Sequence, residues 1–253
     1  MESSPSPDLL RSLALSITYA LHKPKTPANL QRKKSLRFVS PSSRPASAKS
    51  ESSKVPGVTL GIEMLRLYAS VLCDPRDPAP LRKFAKAVTN KWLLYLMCED
   101  DPEIVVLATK ILARLLVVHG SGYSKKFAEK SGGYIILEYR LKRWWNVPAL
   151  WPICLSIFFG RDIAMVDLEK PLDRSGLLNM FLAEGDVNVV FPDMLPVIVN
   201  MMKSGIRHII IQEGETSVGG EDLEGRASSC EKSKMGSLKW NGKLLRQMTV
   251  AFF

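Results

Sequence analysis

The run from Pro102 to His119 constrains this chain more than any other. Ile104, Val105, Leu107, Ala108, Ile111, Leu112, Leu115, Leu116 and Val118 make it apolar nearly all round, leaving a narrow polar stripe through Glu103, Lys110 and Arg114. Asp101 and Pro102 supply an N-cap and a proline at the first helical position, and Gly120 supplies a stop. Val117 and Val118 are β-branched and suit a strand, but the length and the caps favour helix. A helix that is apolar on most sides must be covered on several sides, and a stacked array of helices does this.

The flanking segments carry the same punctuation. Val58 to Cys73 places Leu65, Tyr68 and Leu72 at helical spacing and stops at Asp74 and Pro75. Asp77 and Pro78 repeat the cap-then-proline device ahead of Leu81, Phe84, Ala85 and Val88. Thr89 or Asn90 caps a helix over Lys91–Cys98 carrying Trp92, Leu93, Leu96 and Met97. After Gly120 a short helix, Tyr123–Lys130, ends at Ser131, Gly132 and Gly133, where glycine takes up the left-handed C-cap conformation. The next helix puts Tyr134, Leu137, Leu141 and Trp144 on one stripe, with Arg140, Lys142 and Arg143 elsewhere. A short helix, a double glycine and a longer amphipathic helix form the local pattern of armadillo-type repeats. Val147–Phe159 is the most hydrophobic run, but at 13 residues with Pro148 and Pro152 inside it is a buried helix and not a membrane span. Asp193 is expected to cap a helix with Leu195, Ile198, Val199 and Met202 in register. No stretch alternates strictly enough for a sheet. Arg207–Gln212 reads equally as a strand or a frayed helix end.

The expected fold class is therefore all-α, an armadillo/HEAT-like α-solenoid segment with disordered insertions. An N-terminal helix occupies 1–22, a basic Ser/Pro-rich disordered segment 23–56, helical repeats 57–213, and a Gly/Ser/Glu-rich disordered loop 214–237. Residues 238–253 form a truncated helix of the next repeat, because Ala251–Phe253 closes an amphipathic pattern on aromatics with no cap. The chain is expected to be a piece of a longer protein.

Charge separates these regions. The net charge is +10, but residues 1–55 carry +7 of it and the rest only +3. The basic arm raises a nucleic-acid or anionic-membrane reading, with Arg32, Lys33 and Lys34 as contacts and Ser35 as a phosphorylation site. A second basic cluster beside aromatics, Arg140, Lys142, Arg143 and Trp145, suits a partner or an anionic surface. Against this stands the reading in which Trp144 packs inward and the cations are a solvated face.

Catalytic motifs do not emerge. The three histidines, His22, His119 and His208, share no useful spacing with acids or cysteines. His119 is expected to sit partly cationic at a helix C-terminus. The four cysteines, Cys73, Cys98, Cys154 and Cys230, form no C-x-x-C pair, which argues for buried thiols and against a disulfide framework or zinc site. Glu99, Asp100 and Asp101 precede a helix start, where acids suit the dipole. No nucleophile elbow or phosphate-cradling glycine loop is present. The expectation is no enzyme, no cofactor and no metal. Leu9–Leu21 is broken by Arg11, Ser12, Ser16 and Thr18 and preceded by Glu2 and Asp8, which argues against a secretory signal.

The stretch from Leu115 to Leu178 resembles the helical region upstream of the BEACH domain in fungal beige-like proteins. Tyr123–Gly133, Leu141–Asn146, Trp151–Cys154 and Phe159–Asp162 carry the resemblance, which extends more loosely from Pro56 to about Met202. It implies a cytoplasmic scaffold, peripheral to endomembranes, with a role in vesicle trafficking, vacuole- or lysosome-related sorting, or autophagy. Such proteins carry armadillo-like repeats, then a pleckstrin-like domain, the BEACH domain and WD repeats. The later modules have no counterpart here, and the group offers no catalytic residues to carry over. Protein partners along a solenoid groove are what the resemblance implies.

Overall fold

The computed structural model describes residues 5–22, 56–166, 168 and 188–218. These form α1 (Pro7–His22), α2 (Pro56–Leu72), α3 (Ala79–Ala87), α4 (Asn90–Leu96), α5 (Pro102–Ser131), α6 (Gly133–Leu141), α7 (Leu150–Phe158) and α8 (Leu195–Val218). Short 3-10 turns lie at Lys142–Trp144, Ile163–Met165 and Pro192–Met194. Among the described residues there is no strand, and the fold is all-α.

The helices pack on adjacent elements and on elements two or three helices away along the chain. α1 lies against α2 and α3, α5 against α2, α4, α6 and α7, and α8 against α6 and α7. α1 is thus part of the packed body, although residues 23–55 separate it from α2. Its docking is specific: the Tyr68 hydroxyl donates to the Leu10 carbonyl at 2.7 Å, and the Trp92 indole N–H donates to Thr18 Oγ1 at 2.9 Å. Tyr68, Phe84 and Trp92 meet edge-on beneath it, with centroids 5.7 to 6.1 Å apart.

Local chemistry explains the element ends. Asp101 accepts the Glu103 N–H at 2.9 Å, satisfying one of the free donors at the start of α5. Asp77 accepts the Ala79 N–H at 2.9 Å, so α3 opens one residue beyond Pro78. Gly120, at φ 71° and ψ −163°, breaks the helical path inside α5. That divides α5 into the two helices expected on either side of it. The double glycine does two jobs. Gly132 takes the left-handed conformation (φ 55°) that closes α5. Gly133 lies against the Phe127 ring so closely that a Cβ would clash with it.

The apolar stripe of Pro102–His119 is covered as its composition demands: Ile104, Val105, Ala108, Ile111, Leu112, Leu115 and Leu116 are all buried. Pro102–Ser131 and Pro192–Ile211 are long and apolar enough, by length and composition, to cross a bilayer. In α5 that surface faces four helices instead. α7 is buried at every position. Its Trp151 donates its indole N–H to the Trp145 carbonyl at 2.9 Å.

Three expectations are corrected. The stripe through Tyr134, Leu137 and Leu141 does not continue to Trp144; Trp145 turns inward, 5 % exposed, and Trp144 is only partly buried. Trp144 and Trp145 stand three and four residues beyond Leu141, so both fall near the stripe by helical spacing; packing of this segment on α8, with the Trp145 ring 5.6 Å from that of His208, takes Trp145 inward. α8 buries Met194, Val197, Ile198, Met201 and Met202, whereas Leu195 is exposed and Val199 only partly covered. Asp193 lies within a 3-10 turn and does not cap α8; the buried face, set by packing on α6 and α7, is centred about one residue earlier than expected. Finally, Arg207–Gln212 is helical, and α8 runs through Gly214 to Val218, into the segment expected to be loop.

Candidate functional site

Arg32, Lys33, Lys34 and Ser35 lie outside the described residues, as do Cys230 and residues 238–253. The second basic cluster is described, and the structure divides it. Trp145 is in the core, its ring 5.6 Å from that of His208, and is not a surface contact. Arg143 is engaged by the turn before α5. Its guanidinium donates to the Glu99 carbonyl at 2.6 Å and lies 3.1 Å from the Asp100 carboxylate. This use of Arg143 accounts for the Asp100 carboxylate, one of the three acids at 99–101. Asp101 caps α5, and Glu99 lies 3.3 Å from His22 Nε2.

Arg140 and Lys142 remain, and both flank one aromatic ring. Lys142 Nζ stands 4.5 Å from the centroid of Tyr139, and the Arg140 guanidinium carbon 5.5 Å from it. Tyr139 is 63 % exposed and Ile135, one turn earlier, 74 %. Opposite them runs α8. Between the two helices lies a groove of about 330 Å³ lined by Ile135, Glu138 and Tyr139 from α6, by Lys142 from the 3-10 turn after it, and by Asn200, Lys203, Ser204 and Arg207 from α8. Glu138 is the acid in this lining, and it accepts a hydrogen bond from the Asn200 side chain. Lys203 and Arg207, four residues apart, share one helix face.

Sequence reading missed Ile135, Tyr139, Lys203 and Arg207. One signal was present: Tyr134, Ile135, Ile136, Leu137, Tyr139 and Leu141 are more apolar residues than a single buried stripe of α6 uses. The pairing with α8 had no local signal, since Glu138 and Asn200 are 62 residues apart.

The other polar groups are set by burial. The thiols of Cys73 and Cys154 are pushed up to about 11 and about 12 by desolvation, so both stay protonated and poor as nucleophiles near neutral pH. His119 departs from its expected cationic state. Burial lowers its pKa, the charge of Arg82 lowers it further, and a backbone interaction with Leu81 opposes them. The ring stacks on Tyr123 at 5.0 Å. Arg114 is 1 % exposed, and its Nε lies 3.7 Å from Asp162, which also caps the turn at Ala164. Among the described residues no group of three or more His, Cys, Asp or Glu side chains is placed to hold a metal ion.

No family model matches the chain, and no solved structure matches it. One curated protein is similar: Beige protein homolog 1 of Schizosaccharomyces pombe, 27 % identical over 116 residues, or 46 % of this chain. The matching stretch is 4 % of that protein's length, so the likeness concerns one part of a far longer molecule.

Proposed function

We propose that this chain is a non-catalytic helical-repeat segment of a beige/BEACH-type scaffold. Its role is to hold protein partners during vesicle trafficking, vacuole- or lysosome-related sorting, or autophagy, on the cytoplasmic side of endomembranes. The partial similarity to Beige protein homolog 1 carries this reading. The packing supports it: the main helix contacts join elements no more than three helices apart along the chain, and stacking over such short chain distances is the building principle of armadillo-like solenoids. The groove between α6 and α8 is the surface this reading would use.

The test is deletion of residues 56–218 from the endogenous protein, with its abundance checked by immunoblot. Delivery of an endocytosed tracer to the vacuole or lysosome and autophagic turnover are then followed. Slower delivery at unchanged abundance supports the role. Normal delivery and turnover would remove it.

A further inference from the structure

We propose that the groove between α6 and α8 docks an acidic amphipathic helical segment of another protein; this rests on the scaffold reading above and names the chemistry of its partner. The two walls differ in kind. Along α6, Ile135 and Tyr139 stand one turn apart and largely exposed, forming a short apolar strip. Along α8, Lys203 and Arg207 stand one turn apart, and Lys142 closes the α6 end. Among the described residues no carboxylate forms an ion pair with Lys142, Lys203 or Arg207. Glu138, the acid within the groove, is occupied by Asn200. The lining therefore holds three cations against one carboxylate, a net positive charge beside an exposed apolar strip. A partner that satisfies both carries acids on one side and large apolar side chains on the other.

The dimensions fit a helix. The lining runs from Ile135 on α6 to Lys142 just beyond it and from Asn200 to Arg207 on α8, a length of roughly 10 Å, or about two turns. Helix-in-groove docking reads anchors at such spacing. Lys142 and Arg140 lie over the Tyr139 ring, which restrains it and lowers the entropy lost when an apolar anchor packs there. A bilayer is the poorer occupant, because these cations line a recess between two helices and do not ring a flat apolar face.

The probe is a fluorescein-labelled helical peptide of roughly twelve residues, about three turns, with leucines spaced by four and glutamates on the flanking face. Binding to the full chain is read by anisotropy. The expected result is saturable binding that weakens with salt and is lost when the glutamates become glutamines. The double variant Lys203→Glu/Arg207→Glu should weaken it by about tenfold or more, and Tyr139→Ala by a smaller factor. Lys86→Glu/Lys91→Glu, a matched reversal on exposed lysines of α3 and α4, should change it less than about twofold. Circular dichroism confirms that each variant folds.

No saturable binding, equal binding of the glutamine peptide, or equal binding by the groove reversal overturns the proposal. So does capture of phosphatidylserine vesicles, but not the peptide, by the unaltered chain. A trafficking defect on deletion without peptide binding would overturn the groove alone; peptide binding without any trafficking defect would overturn the scaffold role alone.

Discussion

α6 and α7 are neighbours in sequence and equal in length, nine residues each, yet they have opposite surfaces. α7 is buried on every side, and its one hydroxyl, on Ser156, donates back to the Ile153 carbonyl at 2.7 Å. α6 buries Tyr134, Leu137 and Leu141 and leaves Ile135, Tyr139 and the basic groups beside them uncovered. A helix covered all round has its side chains chosen by packing alone. A helix with one covered face retains a second face whose chemistry packing does not explain, and in this molecule the candidate site lies there. The same contrast holds between Arg114, sealed in α5 beside the Asp162 carboxylate, and Lys203 and Arg207, exposed and without an ion-pair partner among the described residues.

Mutations should separate the sealed region from the open one by their effect on stability. Trp151→Ala should have the largest effect. It removes a side chain that is 1 % exposed together with its hydrogen bond to Trp145. The expected cost is about 3–5 kcal/mol, read as a fall in the urea midpoint; a change under about 1 kcal/mol would show that the α7 core is not sealed. Asp162→Ala comes next, because it strands the buried Arg114 charge at a cost of about 3 kcal/mol. Arg114→Met in the same background should recover most of it, and failure to do so would mean the ion pair is not what Asp162 contributes.

Asp101→Ala should cost about 1 kcal/mol through the lost cap of α5, with no effect on the groove. His119 gives a smaller, pH-dependent effect. Its folded-state pKa is lowered, so the unfolded chain takes up a proton first as the pH falls. Stability from His119 is complete above its ordinary pKa of about 6.5 and declines as the pH drops from there toward the folded value. His119→Gln should flatten that part of the urea-midpoint profile. An NMR titration placing the folded pKa above the ordinary value would contradict the assignment. Smallest of all, Lys203→Glu/Arg207→Glu should shift stability by less than about 0.5 kcal/mol, because those groups contact solvent. A large loss would turn the groove from a binding surface into a structural one.

The contrast also explains which features were legible in the sequence. Asp101, Gly120 and Gly132 each act within one turn of their own position, so the ends of α5 follow from residue type. The two-faced character of α6 was partly visible in its excess of apolar residues. The fate of Arg143 and Trp145 was not. Arg143 is committed to a turn 44 residues earlier, and Trp145 reaches the core where its segment packs on α8 beside His208. Composition alone placed both with Arg140 and Lys142.

By itself, the sequence determined the all-α class, the sealed character of α5 and α7, and most helix boundaries, because caps, glycines and apolar periodicity act over a few residues. Only the tertiary structure decided that α1 joins the body, which face of α8 turns inward, and that Ile135 and Tyr139 share a groove with Lys203 and Arg207. Those outcomes depend on contacts between residues distant in sequence, where shape and burial choose among faces that local chemistry leaves equivalent.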